Sequence, residues 1–372
     1  MKILLAKSFS KLTFIAPLAE GLKKKGHDVH ILIPNHHKDT KPLADIGIPI
    51  HFNEIILPRM LRRKNILQDL SLFRSLVYLI KKNSFDIINL HLPAARLFGR
   101  LAALLSRTGR VVSVIHGNEI HHERLTHWID CKTICVSHAI KNFLIDHSIP
   151  NKNIKVIHNG IDLEKSDAIG EDKYYLHREL NLPMKTKIIG MVAYFYGPSP
   201  AVHKGHRIFL DAAKVVADAY MDVHFVIIGD NRLISNERER FEAYAQEIGL
   251  ADKINFLGER EDVLNLMSSL TIHVLPSLKE GFGMVILEAM ARKVPNIASN
   301  LSCIKEIIDP GENGMLFEPG NHVQLSECML KLLNNPKEAE CIAQKGYQHC
   351  RDNFSAQGMI DKYEELFMEI VT

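Results

Sequence analysis

Short apolar runs alternate with amphipathic stretches along almost all of the 372-residue chain, and this alternation limits the folds open to it. Residues 1–6, 27–34, 85–91, 110–117, 132–137 and 154–158 read as buried strands. Between them, residues 14–25 place Ile15, Leu18, Ala19 and Leu22 at helical spacing and close on Gly26, and 68–82, 93–106 and 139–147 read as further helices. Strand, helix and strand in succession require a parallel sheet with right-handed crossovers, which collects ligands at the carboxyl ends of its strands. The pattern lapses over 163–184, which is polar and reads as a linker, and restarts at 187–193. Strands are then expected at 222–230, 253–258, 270–276, 295–299 and 314–317, and helices at 207–220, 237–248, 262–268, 284–292, 303–308, 322–333 and from 336 onward. The fold class is therefore α/β, with two doubly wound, Rossmann-like domains. Their expected bounds are 1–165 and 166–350, with a terminal helix in 351–372.

Composition excludes several classes. No apolar run approaches the ~20 residues of a membrane span. Residues 1–6 are cut short by Lys7 and Ser8, so they read as a first strand and not as a signal peptide. The six cysteines contain no Cys-x-x-Cys pair, which predicts a reduced cytoplasmic protein without structural zinc. Charge is uneven. Residues 1–165 hold 25 lysines and arginines against 13 acidic residues, a balance of +12, while the remainder stands at −9. The first half is thus expected to meet something anionic, and the acidic second half argues against nucleic acid. The densest basic cluster, Arg59, Arg62, Arg63 and Lys64 around Met60 and Leu61, lies just before the 68–82 helix and suits reversible contact with an anionic membrane surface.

The stretch richest in chemistry is 275–292. An apolar run ends at Pro276 and Ser277, Gly281 and Gly283 bracket Phe282, and Met284, Leu287, Glu288 and Ala291 then recur at helical spacing. A strand, a glycine turn and a helix N-terminus aim the positive end of a helix dipole at one point, which suits a phosphate. Two carboxylates flank that point, Glu280 before the helix and Glu288 inside it. A carboxylate repels phosphate, so both are expected to face sugar hydroxyls. A second loop, Lys204-Gly205-His206, also precedes a helix and offers a cation to a diphosphate. No Asp-x-Asp pair offers itself to a metal.

Glu280 and Glu288 with Gly-Phe-Gly after the first and Ala-Met-Ala after the second resemble the signature of the retaining glycosyltransferases of family four. That resemblance, dense in motifs from 111 to 319, implies a GT-B fold with two domains facing across a cleft and the last helix returning to the first domain. It implies a metal-independent transfer with retention from a nucleoside diphosphate sugar, itself the substrate, with no further cofactor. It also implies the site. Lys204 holds the donor diphosphate, and Glu280 with the backbone of Gly281, Phe282 and Gly283 holds the sugar. Met284, Val285 and Glu288 follow, the last on the ribose hydroxyls. Gly229-Asp230 matches a turn that lets a strand end approach the nucleotide, and 256–260, ending in Arg260, matches the segment that receives the base. His116 matches a histidine near the transferred sugar, and His91-Leu92-Pro93 a motif of enzymes that build surface polysaccharides. Two positions depart from the pattern. Tyr194 stands where the family places an arginine on the diphosphate, so that the charge rests on Lys204, on helix dipoles or on another cation such as Arg207. Residues 7–11 lack the usual Gly-Gly pair.

The reaction expected is transfer of a hexose or N-acetylhexosamine, UDP-linked in preference to GDP-linked, to a hydroxyl of a sugar or lipid-linked sugar acceptor in surface polysaccharide or lipopolysaccharide synthesis. The protein is expected in the cytoplasm, peripheral to the inner face of the membrane. A nucleotide-sugar epimerase on the same donor site, or a donor-binding homologue without turnover, are the alternatives.

Overall fold

The computed structural model describes residues 1–7, 15–34, 45–56, 66–120, 123–196, 204–232 and 236–372. The chain forms two compact units, Met1–Gly160 with Ala356–Thr372, and Ile161–Ser355. The cluster Arg59, Arg62, Arg63 and Lys64 and the loop 8–11 lie outside the described residues.

In the first unit the described strands are β1 (Lys2–Lys7), β2 (Asp28–Ile33), β3 (Ile50–Phe52), β4 (Ile87–His91), β5 (Arg110–Ile115), β6 (Asp130–Cys135) and β7 (Ile154–Val156). They form one parallel sheet in the order β3-β2-β1-β4-β5-β6-β7. Their near-continuous apolar runs follow from burial on both faces. Helices Ile66–Asn83 and Pro93–Ser106 cover one face and close a core around Leu4, Leu76, Ile80, Phe85, Ile88 and Leu90. The chain leaves β1 toward β2 and later resumes on its other side at β4, so the topological switch lies between β1 and β4. At its carboxyl end Lys7 pairs in register with His91. The terminal helix Ala356–Val371 packs on the helix Ile15–Lys24, with Ile360 against Gly21 and Lys25 bridging Asp361 and Glu364.

The second unit repeats the plan with β8 (Lys187–Val192), β9 (Phe195–Tyr196), β10 (Val223–Ile228), β11 (Asn231–Arg232), β12 (Ile254–Phe256), β13 (Ile272–Leu275), β14 (Asn296–Ser299) and β15 (Met315–Phe317). Six of these make a parallel sheet in the order β12-β10-β8-β13-β14-β15, and β9 pairs with β11 beside it. The switch point here lies between β8 and β13.

Two sequence expectations need correction. Residues 163–184 are not a linker. They carry helices Leu163–Ala168 and Tyr175–Glu179, with Leu176 fully buried and Arg292 donating to the carbonyls of Ser166 and Gly170. The apolar positions of this segment are too few to show a period, yet they dock on a core built by residues about a hundred positions later. Residues 303–308 form turns rather than a helix. Among the described residues, no helix is long and apolar enough to cross a membrane.

Candidate active site

The site of the second unit is built at the carboxyl ends of β8 and β13. After β13 the chain passes Pro276 and Ser277 and enters the helix Met284–Ala291 through Gly283, whose φ of 100° suits a residue without a side chain. The loop holding Lys204 is pressed onto this turn. Gly205 has φ 75°, and a Cβ there would lie 1.9 Å from the Pro276 carbonyl oxygen. That approach brings the Lys204 ammonium 2.6 Å from Glu280 Oε1, and Ser277 Oγ donates to the same oxygen at 2.8 Å. Cys303 Sγ donates to the Glu280 backbone carbonyl at 3.4 Å, so the loop is held at side chain and backbone alike. Glu280 is thus a charge-neutralised acceptor at a helix N-terminus.

Glu288 lies more than a turn further on. The helix buries Ile286, Leu287, Ala289, Met290 and Ala291, leaving Met284, Val285 and Glu288 on one partly exposed stripe. The Glu288 carboxyl makes no hydrogen bond or ion pair among the described residues, and desolvation pushes its pKa up to about 7. A half-buried carboxyl in this state is poised to accept from a hydroxyl that arrives with a ligand.

Other residues singled out in the sequence are held by the protein. Gly229 has φ 144°, and a Cβ there would lie 2.0 Å from the Ala193 carbonyl oxygen, so only glycine lets the end of β10 meet the end of β8. The Asp230 carboxylate accepts from the Asn231 backbone at 2.7 Å and lies 3.6 Å from Arg238. Phe282 is buried edge-on against Phe354. The Arg260 guanidinium is shared between Glu179, at 2.6 and 3.0 Å, and Asp262, at 2.8 and 2.7 Å, and it pulls the Asp262 carboxyl down to about 2. Arg260 thereby ties down the helix Tyr175–Glu179. Tyr194 donates its hydroxyl to Glu259 at 2.9 Å. Arg207 stacks 4.1 Å over the Tyr244 ring, whose hydroxyl donates to Asp211.

In the first unit, His116 follows β5 and stacks on His91, with His91 Nδ1 2.9 Å from His116 Nε2. His91 Nε2 lies 2.6 Å from Asn89 Oδ1. Burial together with the charges of Lys7 and Arg96 holds His116 down to about 3 and His91 well below its ordinary value, so both rings are neutral at pH 7. Beneath them runs a buried ionic chain. Arg96 meets Glu123 at 2.7 Å, and Arg100 meets Glu123 at 2.6 Å and Asp130 at 2.5 Å. Sequence reasoning did not single out Asn89 or Ser277. A lone Asn inside the apolar run of β4 was the available signal for the first; nothing marked the second.

Comparison with known proteins follows the same division. The family described as Glycosyl transferases group 1 matches residues 173–349, and that described as Glycosyltransferase Family 4 matches residues 13–165. The UDP-Gal:alpha-D-GlcNAc-diphosphoundecaprenol alpha-1,3-galactosyltransferase of Escherichia coli is 24% identical over 96% of this chain and 96% of its own. An uncharacterized glycosyltransferase of Methanocaldococcus jannaschii is 32% identical over 63% of this chain and 60% of its own. The crystal structure of Anabaena HepE in complex with UDP and glucose superposes with a TM-score of 0.84 at 20% identity, covering 99% of each chain. WaaG, a glycosyltransferase involved in lipopolysaccharide biosynthesis, gives a TM-score of 0.74 at 14% identity over 98% of this chain and 99% of that one. Two parallel-sheet domains of the GT-B kind are common to all three folds.

Proposed function

Because the chain belongs to the family-four glycosyltransferases, we propose that it moves a hexose or N-acetylhexosamine from a nucleoside diphosphate sugar, UDP-linked in preference to GDP-linked, to an acceptor hydroxyl. The observation that carries the donor assignment is the convergence of Lys204, Glu280 and the N-terminus of helix Met284–Ala291 at the β8/β13 switch point. The diphosphate takes the ammonium of Lys204 and the positive end of the helix dipole. As phosphate approaches, Lys204 is shared with Glu280, whose other oxygen accepts from a sugar hydroxyl. The ribose hydroxyls donate to Glu288. The leaving diphosphate is stabilised by these fixed charges without a metal, and the acceptor attacks from the face it leaves, with retention.

His116 is assigned to a hydroxyl of the transferred sugar. The acceptor is read as a lipid-linked sugar of a surface polysaccharide or lipopolysaccharide, reached by a cytoplasmic enzyme at the inner face of the membrane. The outward face of helix Ile66–Asn83 supports that location. It exposes Leu67, Leu70 and Tyr78 beside Arg74, Lys81 and Lys82, which pairs apolar anchors with charge for an anionic surface. A thermal-shift panel of nucleotide sugars tests the donor. The matching donor at ~100 times its dissociation constant stabilises by about 2.7 kcal/mol. A flat panel across UDP, GDP and ADP sugars overturns the reading, and interconversion of free UDP sugars without acceptor replaces it with an epimerase.

A further inference from the structure

We infer that Asn89 and His91 are positioning residues that lock the ring of His116 in one tautomer, with hydrogen on Nε2 and the acceptor lone pair on Nδ1. The chain of donors has a fixed direction because it starts at a group that can only accept. Asn89 is wholly buried on β4, in register with Val112 of β5, and its amide nitrogen donates to the Val112 carbonyl at 3.1 Å. A carbonyl carries no hydrogen, so the amide cannot be turned round. The Asn89 carbonyl oxygen must therefore face His91, and it lies 2.6 Å from His91 Nε2. That oxygen also only accepts, which puts the His91 hydrogen on Nε2. A neutral His91 then presents a bare Nδ1, 2.9 Å from His116 Nε2, and His116 must supply the hydrogen. A neutral His116 with hydrogen on Nε2 has its lone pair on Nδ1. Both rings are neutral at physiological pH, since burial and the nearby Lys7 and Arg96 oppose a second proton.

The consequence concerns recognition. An Nδ1 lone pair accepts from a hydroxyl and repels a phosphate oxygen. His116 thus selects for a hydroxyl-bearing part of the substrate, a statement that rests on the transferase reading above. The lock itself does not depend on that reading, and it can be read without turnover.

The experiment uses the full chain with ¹⁵N-labelled histidine rings. Two-bond proton–nitrogen spectra at pH 7 distinguish the two neutral tautomers, and the His116 and His91 signals are assigned by their loss in His116→Gln and His91→Gln. The wild type is expected to show hydrogen on Nε2 in both rings. In Asn89→Leu, which keeps the volume and removes the amide, the His116 signals are expected to split between tautomers, and kcat/KM is expected to fall about tenfold, as for one lost hydrogen bond. Hydrogen on Nδ1 of His116 in the wild type overturns the lock. So does a folded Asn89→Leu with unchanged ring signals. If that variant does not fold, the wild-type spectrum alone decides. The predicted tautomer in a protein that turns over no nucleotide sugar sinks the transferase reading and leaves the lock standing.

Discussion

Lys204 and Glu280, 76 residues apart in the chain, form a 2.6 Å ion pair at the mouth of the second sheet. The pair is partly buried, and Ser277 Oγ donates to the same carboxylate oxygen. An arrival of phosphate therefore divides a charge that is already in use. Lys204→Ala removes that charge and leaves Glu280 to repel the donor. Donor affinity is expected to fall tenfold or more, with a smaller loss in Lys7→Ala, as measured by calorimetry. Equal and mild losses in the two variants place the diphosphate elsewhere.

The approach of Gly205 to Pro276 makes a sharper test of the same geometry. Gly205→Ala introduces a Cβ 1.9 Å from the Pro276 carbonyl oxygen at φ 75°. The backbone must move, at a cost of about 1–3 kcal/mol or more. Lowered thermal stability together with weakened donor binding is the expected result. A variant with wild-type melting and wild-type affinity contradicts the packing described.

Glu288 sets a pH dependence with a definite sign. Its carboxyl titrates near 7 in the folded protein, above the ordinary 4.5, so the folded state binds the proton more tightly than the unfolded chain. Its contribution to stability is complete below pH 4.5 and is lost as pH rises through 7. The full swing is on the order of 3 kcal/mol. Glu288→Gln, which stays neutral, is expected to match the wild type near pH 5 and to exceed it at pH 8 in denaturant melts. Donor affinity runs the other way. It rises from pH 6 to pH 8 in the wild type, where the carboxylate accepts ribose hydroxyls, and is weak and flat in Glu288→Gln. Parallel pH profiles for the two proteins exclude Glu288 from both roles.

The buried chain of Arg96, Glu123, Arg100 and Asp130 predicts an asymmetric response. Arg100→Leu strands Asp130 in a dry interior, leaves Glu123 with Arg96 alone, and is expected to destabilise the first unit by about 3–5 kcal/mol in chemical denaturation. An effect below about 1 kcal/mol means that water reaches these carboxylates.

Binding to anionic vesicles tests the basic half. At about 1 kcal/mol per side chain and a screening length of ~8 Å, the four charges of Arg59, Arg62, Arg63 and Lys64 give reversible sedimentation at low salt that is lost at high salt. Replacing the four by Ala is expected to abolish sedimentation while donor affinity is kept. A wild type that stays in the supernatant at low salt favours a soluble acceptor.

Much of this architecture is readable from the chain alone because long periodic elements carry their own signal. The helix Pro93–Ser106 was expected with the bounds it has, since Pro93 suits a first helical position and an Ala/Leu face follows. Glu280 and Glu288 stood out by spacing. What the sequence hid is non-local. The pairing of Lys204 with Glu280 depends on a glycine pressed against a carbonyl some seventy residues away. The Asn89–His91–His116 chain exists only because β4 and β5 are in the register that sets Asn89 beside Val112. Arg96 and Arg100 carry no signal of burial in the sequence, and only the fold shows them enclosed with Glu123 and Asp130. The helices in 163–184 escaped notice because a handful of apolar side chains, spaced irregularly, find their partners in a sheet assembled later.

The helix Ala356–Val371 rests on Ile15–Lys24, in the unit that begins at Met1. That unit is consequently split in time as well as in sequence. During synthesis its seven described strands emerge first, then the whole of Ile161–Ser355, and only afterwards the helix whose Ile360 covers Gly21. A nascent chain therefore carries an open apolar seam through the translation of nearly two hundred residues.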